Sequence, residues 1–208
     1  MLTPKLMQLI SVMFISLWVV SCANKPIETN AVALSDTVSY QLQPVPELLA
    51  NKGIQALLEI KHNKRDEQVL LQVEMTSDNI LVSGMTVEGF SLFNIEWQVN
   101  TNRAVVDKVI SIDPLRILAE LQLSLWPLDV INQGLSSALI INTKGVKQTA
   151  HTKQRTVLQG ETVLYTIKQK NNVMVLLNKQ QDYALTIKEL ARWELSEIDN
   201  ISTEKERP

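Results

Sequence analysis

Residues 113–135 read DPLRILAELQLSLWPLDVINQGL, and this stretch decides how the rest of the chain is read. Asp113 ahead of Pro114 has the form of a helix N-cap followed by the residue best suited to a first helical turn. Leu115, Leu118, Leu121 and Leu125 then recur near helical spacing, with Ile117 beside the stripe. Trp126-Pro127 ends this helix, because the residue before a proline resists helical geometry. A second helix is predicted beyond it, with Leu128, Ile131, Leu135 and Ala138–Leu139 on one face. Residues 114–140 therefore read as two amphipathic helices.

On either side the dominant signal is alternation at period two, the mark of strands with one buried face. Ile54, Ala56, Leu58 and Ile60 point one way. Val69, Leu71, Val73 and Met75 do the same, then Phe93, Ile95, Trp97 and Val99, then Ala104, Val106, Ile110 and Ile112. After the helices come Val163, Tyr165 and Ile167, then Val173, Val175 and Leu177, then Tyr183, Leu185 and Ile187. Turn-forming pairs separate them, among them Asp78-Asn79, Gln159-Gly160, Asn171-Asn172 and Gln181-Asp182. Short links between successive strands imply an antiparallel meander. The order strands, helices, strands predicts an α+β, mostly β fold: a curved antiparallel sheet forming a half-open barrel, with a mid-chain helical hairpin as its lid. The same elements also allow a tighter packing in which the helices fill the concave face and leave no cavity.

The N-terminus carries a different kind of pattern. Lys5 is followed by a mostly apolar run from Leu6 to Val20, which ends in Val19-Val20-Ser21-Cys22. A bilayer core needs about 20 apolar residues to span it, so this run has the length of a signal-peptide core. The ending resembles the lipobox of bacterial lipoproteins, in which the cysteine thiol and the new N-terminus are acylated. The expectation is a signal peptide over 1–21, lipidation at Cys22, and a tether over 22–43. A single β-rich domain over 44–195 and a frayed tail over 196–208 complete the organisation. A buried cysteine in a transmembrane helix and an ordinary cleaved signal are the alternatives. Several acyl chains anchor a protein stably where one does so marginally. Ala23 follows the cysteine, and by the sorting rule of enterobacterial lipoproteins this implies the outer membrane, facing the periplasm.

The chain has 208 residues, 20 basic and 22 acidic, with no concentrated basic face of the kind a nucleic-acid binder uses. Cys22 is the only cysteine, so the fold does not rely on disulfides. With six glycines, no phosphate-cradling loop is visible; Gly84 and Gly89 lack the lysine a P-loop requires. The two histidines, His62 and His151, have no partner at metal-ligand spacing, and no G-x-S-x-G elbow occurs. Asp113 and Glu120, seven apart, read as a cap and a solvated carboxylate rather than a catalytic pair. No metal, cofactor or enzymatic activity is expected.

Three stretches carry a family resemblance. Asp113-Pro114-Leu115 through Leu121-Gln122-Leu123-Ser124-Leu125-Trp126-Pro127-Leu128, ending near Gly134-Leu135, resembles the central signature of a family of uncharacterised proteobacterial outer-membrane lipoproteins. Gly89-Phe90-Ser91-Leu92-Phe93-Asn94-Ile95 with Trp97 looks like its strand segment. Arg155-Thr156-Val157-Leu158, Val163-Leu164-Tyr165-Thr166-Ile167 and Asp182-Tyr183-Ala184-Leu185-Thr186-Ile187 look like its C-terminal strands. The resemblance implies genes neighbouring aryl-polyene and fatty-acid-like biosynthesis clusters. It also implies a fold similar to the outer-membrane receptor of the lipoprotein-localisation pathway, an open barrel whose apolar cavity accepts acyl chains. No counterpart of that receptor's protruding apolar loop is evident in this sequence.

Phe93, Trp97, Leu118, Leu121 and Trp126 are the candidate lining of such a cavity, with ordinary core packing as the competing role for each. Arg155 is expected to pair with a carboxylate or meet a lipid head group. The functional expectation is a membrane-anchored, non-enzymatic lipoprotein that binds or transfers a lipid-like, acyl or aryl-polyene molecule. The competing expectations are an assembly lipoprotein docking onto envelope export proteins, and a periplasmic hydrolase with a Ser or carboxylate beside His62 or His151.

Overall fold

A computed structural model describes residues 27–28, 31–62, 65–108, 113–143 and 152–195. Cys22, Ile110, Ile112, His151 and the 196–208 tail lie outside the described residues. The chain runs through β1 (Ile27–Glu28), β2 (Val32–Ala33), β3 (Ser39–Tyr40), β4 (Lys52–His62), β5 (Arg65–Met75), β6 (Asn79–Met85), β7 (Ser91–Gln98) and β8 (Arg103–Lys108). Helices α1 (Pro114–Leu125) and α2 (Leu128–Gly134) follow, then β9 (Leu139–Asn142), β10 (Thr152–Gln159), β11 (Thr162–Lys170), β12 (Val173–Asn178) and β13 (Tyr183–Glu194). The fold is mostly β, as the alternation predicts.

Eleven strands form one antiparallel sheet in the order β1-β8-β7-β6-β5-β4-β13-β12-β11-β10-β9, curved but not closed into a barrel. Two meanders are joined down the middle by β4 and β13, which pair from His62–Tyr183 to Lys52–Glu194. This order explains the position of the helices. β8 and β9 lie toward opposite edges of the sheet, so the chain between them has to cross the whole concave face, and α1 and α2 make that crossing. Their boundaries follow local chemistry. The Asp113 carboxylate accepts the Leu115 amide at 3.1 Å, and Pro114 occupies the first turn. Trp126 and Pro127 are extended, which splits the two helices.

An amphipathic helix on a sheet buries one stripe, yet every residue of α1 from Leu118 to Ser124 is buried. The outer side is covered by residues 31–46, which the sequence reading assigned to the tether as far as residue 43. Val32, Leu34, Val38, Tyr40 and Leu42 are at most 6% exposed, so the packed domain takes in residues well before 44. The pattern that forms this strap is again period two, but β2 and β3 are too short to stand out. The strap also shortens α2. The Gln41 amide donates to the Gly134 carbonyl and the Ser136 amide to Ser39, both at 2.9 Å, so backbone pairing with the strap replaces further helical turns. A Cβ on Gly134 would lie 2.4 Å from the Gln41 carbonyl oxygen; only glycine permits this approach. Leu135 and Leu139, expected on the helix, therefore lie beyond it, Leu139 in β9.

Two strand faces also differ from expectation. Val163 is 37% exposed while Leu164 and Tyr165 are both buried, because the β10–β11 register slips between Val157 and Leu158. A bulge of this kind adds one residue and re-aims its neighbours. In β12 the buried row is Met174, Leu176 and Asn178, not Val173, Val175 and Leu177. Both rows of Val-Met-Val-Leu-Leu-Asn are largely apolar, so alternation alone does not choose the face; pairing of Leu176 with Ile167 and Leu185 does. Residues 79–85, outside the expected strands, form β6, with Ile80 and Val82 in the core.

Candidate functional site

Beneath the N-terminal half of α1 lies an apolar cavity of about 190 Å³. Its floor is the inward row of three strands: Leu58 and Ile60 on β4, Val69 and Leu71 on β5, Leu185 and Ile187 on β13. Phe93 on β7 closes one side, and Ile117 and Leu121 of α1 form the roof. Residues two apart on a strand share a face, so the alternation that makes the sheet one-sided also makes this floor continuous. The Phe93 ring lies over its cross-strand neighbour Gly84, where a Cβ would approach the ring to 2.3 Å. The glycine thus sets the position of the ring that bounds the cavity.

One end of the cavity is bordered by His62, Arg116, Glu120 and Tyr183. Glu120 is 5% exposed and accepts a hydrogen bond from the Tyr183 hydroxyl. Burial pushes its carboxyl up to about 8, against the opposing effects of the Arg116 charge and of hydrogen bonds with Tyr165 and Asn178. At neutral pH the group is therefore mostly protonated, and this wall is less polar than its residue names suggest. Arg116 turns outward, donating to the Gln181 side chain at 2.8 Å and the Ala33 carbonyl at 2.6 Å. Its aliphatic stem borders the cavity while its charge stays with the strap. The His62 ring meets Tyr183 edge-on, with centroids 6.5 Å apart.

The roof is fixed from above and from its end. The Gln122 side chain accepts the Tyr40 hydroxyl and the Gln43 amide, both at 2.8 Å, and donates to the Gln43 carbonyl at 3.0 Å. The Trp126 indole donates to the Pro44 carbonyl at 2.8 Å. Arg155 donates to the carbonyls of Leu123, Ser124 and Trp126, closest to Trp126 at 2.7 Å. It caps the C-terminal end of α1, where carbonyls lack helical partners and the dipole favours a cation. Arg155 thus meets backbone carbonyls rather than the carboxylate or head group expected for it.

The profile of a family described as protein of unknown function (DUF3261) matches residues 53–191, which takes in β4 to β13 and both helices. This chain belongs to the DUF3261 family. No curated protein sequence matches the DUF3261 chain. Among solved structures, a crystal structure from Vibrio parahaemolyticus is similar at 8% identity and a TM-score of 0.37. It is provisionally described as an outer-membrane lipoprotein-sorting protein domain, and the similarity covers 74% of this chain and 89% of that one.

Of the five residues singled out from the sequence, the DUF3261 fold brings Phe93 and Leu121 to the cavity wall. Trp97, Leu118 and Trp126 do not line it; each is 1% exposed within the core. The Trp97 indole donates to Asn102 at 3.2 Å. Trp126 is anchored to the strap through Pro44, as described. The floor residues on β4, β5 and β13 were legible as inward-facing, but nothing in the alternation marks which of them border empty space. Glu120 is buried rather than solvated. The only signal for this was its place in an otherwise apolar run, Leu118-Ala119-Glu120-Leu121. The turn between β6 and β7 also exposes Val87 and Phe90, an apolar tip that periodicity does not reveal. Among the described residues no helix is long and apolar enough to cross a membrane.

Proposed function

We propose that this protein is a non-enzymatic envelope lipoprotein, anchored through acyl chains on Cys22 to the outer membrane and facing the periplasm. In this reading it binds and hands on a lipid-like molecule, with an acyl or aryl-polyene chain as the cargo class. The observation that carries the reading is the cavity between the curved sheet and α1, walled by Leu58, Ile60, Val69, Leu71, Phe93, Leu121, Leu185 and Ile187. Burying a hydrocarbon chain contributes roughly 0.8 kcal/mol per CH₂ before costs, so such a surface favours a chain over any polar solute. The lipobox sequence at Val19-Val20-Ser21-Cys22 supports the anchor.

The test is native mass spectrometry of the exported chain carrying Cys22→Ser, which removes the anchor's own lipid. An added mass that disappears on organic extraction and is identified as an acyl or polyene lipid is the expected result. A clean apo mass that also ignores added fatty acids overturns the reading. A second reading, docking onto an envelope export complex, is favoured by the sheet edge at β9, where Leu139 is 59% exposed and Ile141 is also exposed. Site-specific cross-linking from Leu139 to an export protein, together with the apo result, would establish it instead.

A further inference from the structure

A second hollow of about 50 Å³ lies under the C-terminal half of α1, floored by Ile54, Ala56 and Val73 and roofed by Leu121 and Leu125. It shares Leu71, Leu121 and Ile187 with the larger cavity. These three residues come from β5, α1 and β13, so the two hollows meet at one ring of side chains. The inward row of β4 runs the length of both: Ile54 and Ala56 under the smaller, Leu58, Ile60 and His62 under the larger. At 3.3 Å per residue, that row spans about 26 Å.

We propose that the two hollows are chambers of one channel, running along β4 beneath α1 and constricted at Leu121, that holds a single extended hydrocarbon chain. The proposal rests on the lipid-binding reading above and adds the shape and number of chains. Three observations point to that occupant. The space is small: at about 190 Å³ the larger chamber falls below the roughly 300–1,000 Å³ of ordinary ligand pockets, which favours one chain over two. Its lining follows one strand, from Ile54 to His62 on β4. Both ends are bordered by polar side chains, His62 and Tyr183 at one and Asn171, Asn172 and Arg192 at the other, while the interior row between them is apolar. A single-chain amphiphile, with its chain in the channel and its polar end at a mouth, matches all three. Leu121 projects from the roof where the chambers join, and a chain longer than the first chamber has to displace it.

The test compares octanoate, dodecanoate and palmitate as competitors of a fluorescent acyl probe, using the Cys22→Ser chain. In the otherwise unmodified chain, affinity is expected to rise about tenfold or more from octanoate to palmitate, which the burial of a few further methylenes supplies. Ala56→Leu fills the second chamber from a position that does not border the first, and Leu121→Trp plugs the junction. Each is expected to reduce the palmitate-to-octanoate affinity ratio about tenfold. Ala56→Leu keeps the test decisive if the larger substitution impairs folding. Palmitate binding no tighter than octanoate, or a ratio that neither variant changes, overturns the channel while leaving a single-chamber lipid binder. Absence of binding by every chain length overturns the underlying function as well.

Discussion

The side chain of Gln122, fully buried in the middle of α1, brackets the backbone of Gln43, accepting its amide at 2.8 Å and donating to its carbonyl at 3.0 Å. The pairing imitates one rung of a sheet, with a glutamine side chain in place of the second strand. It ties the roof of the cavity to the strap that arrives from the N-terminal side. The same carboxamide oxygen also accepts the Tyr40 hydroxyl.

Gln122→Leu keeps the volume and removes all three hydrogen bonds. A buried polar group left without a partner costs roughly 1–3 kcal/mol, so a loss of roughly 3 kcal/mol is expected in urea unfolding. Hydrogen exchange should accelerate in residues 41–45 well before it does in β4 and β5. Equal acceleration across the sheet would show that the strap is not held by this residue.

Glu120 predicts a pH dependence of stability. Its folded carboxyl titrates near 8, above its ordinary value of 4.5. Between those values the unfolded chain releases a proton that the folded chain keeps. Stability from this group is therefore complete below about pH 4.5, falls as pH rises toward 8, and is flat beyond, with a slope of at most about 1.4 kcal/mol per pH unit. Glu120→Gln retains an acceptor for Tyr183 and removes the titration. Denaturant unfolding at pH 5, 6.5 and 8 should show a shallower decline in the variant, and parallel declines would refute the assignment.

Arg155→Met is expected to free the C-terminal carbonyls of α1 at a cost of roughly 2 kcal/mol, the worth of a charge-assisted hydrogen bond. For a domain of this size that corresponds to a Tm lower by about 4–8 °C. Calorimetry checks it. An unchanged Tm would mean that solvent satisfies those carbonyls as well as the guanidinium does.

Trp126→Phe separates core anchoring from ligand contact. The ring volume is largely kept, while the indole hydrogen bond to Pro44 is lost, so stability should fall by about 1 kcal/mol. Affinity for a fluorescent acyl probe should not change, because Trp126 stands outside the cavity wall. A weakened probe affinity at equal stability would place Trp126 at the ligand after all.

Ser124 has a buried hydroxyl oxygen with no hydrogen-bond partner. Ser124→Ala removes the unsatisfied group and raises helix propensity. A gain of roughly 1 kcal/mol is expected in chemical denaturation; a loss would reveal a partner for the hydroxyl in solution.

The elements whose signals are local were readable from the sequence. Asp113-Pro114 starts a helix and Trp126-Pro127 stops it through backbone chemistry confined to neighbouring residues. The turns at Gly160, Asn171 and Asp182 adopt the left-handed conformation that such residues tolerate. Where a strand had one apolar row, as in β4, β5 and β7, the buried face followed. In β12, with apolar residues on both rows, it did not. Of the candidate lining residues, Phe93 and Leu121 reach the cavity. Trp97, Leu118 and Trp126, equally apolar and equally periodic, are core.

By itself the sequence determined the first helix and the strands with a single apolar row, because period and capping act between residues a few positions apart. The tertiary structure alone decided that β4 pairs with β13, that residues 31–46 form a layer over α1, and that Glu120 and Gln122 are buried and Arg155 half-buried, each with partners. Each of these depends on groups brought together from distant parts of the chain, 79 positions apart for Gln122 and Gln43. The cost of burying a polar side chain is set by whether such a partner arrives. The cavity is decided there too, because empty space is a property of how layers meet, and no single strand or helix encodes it.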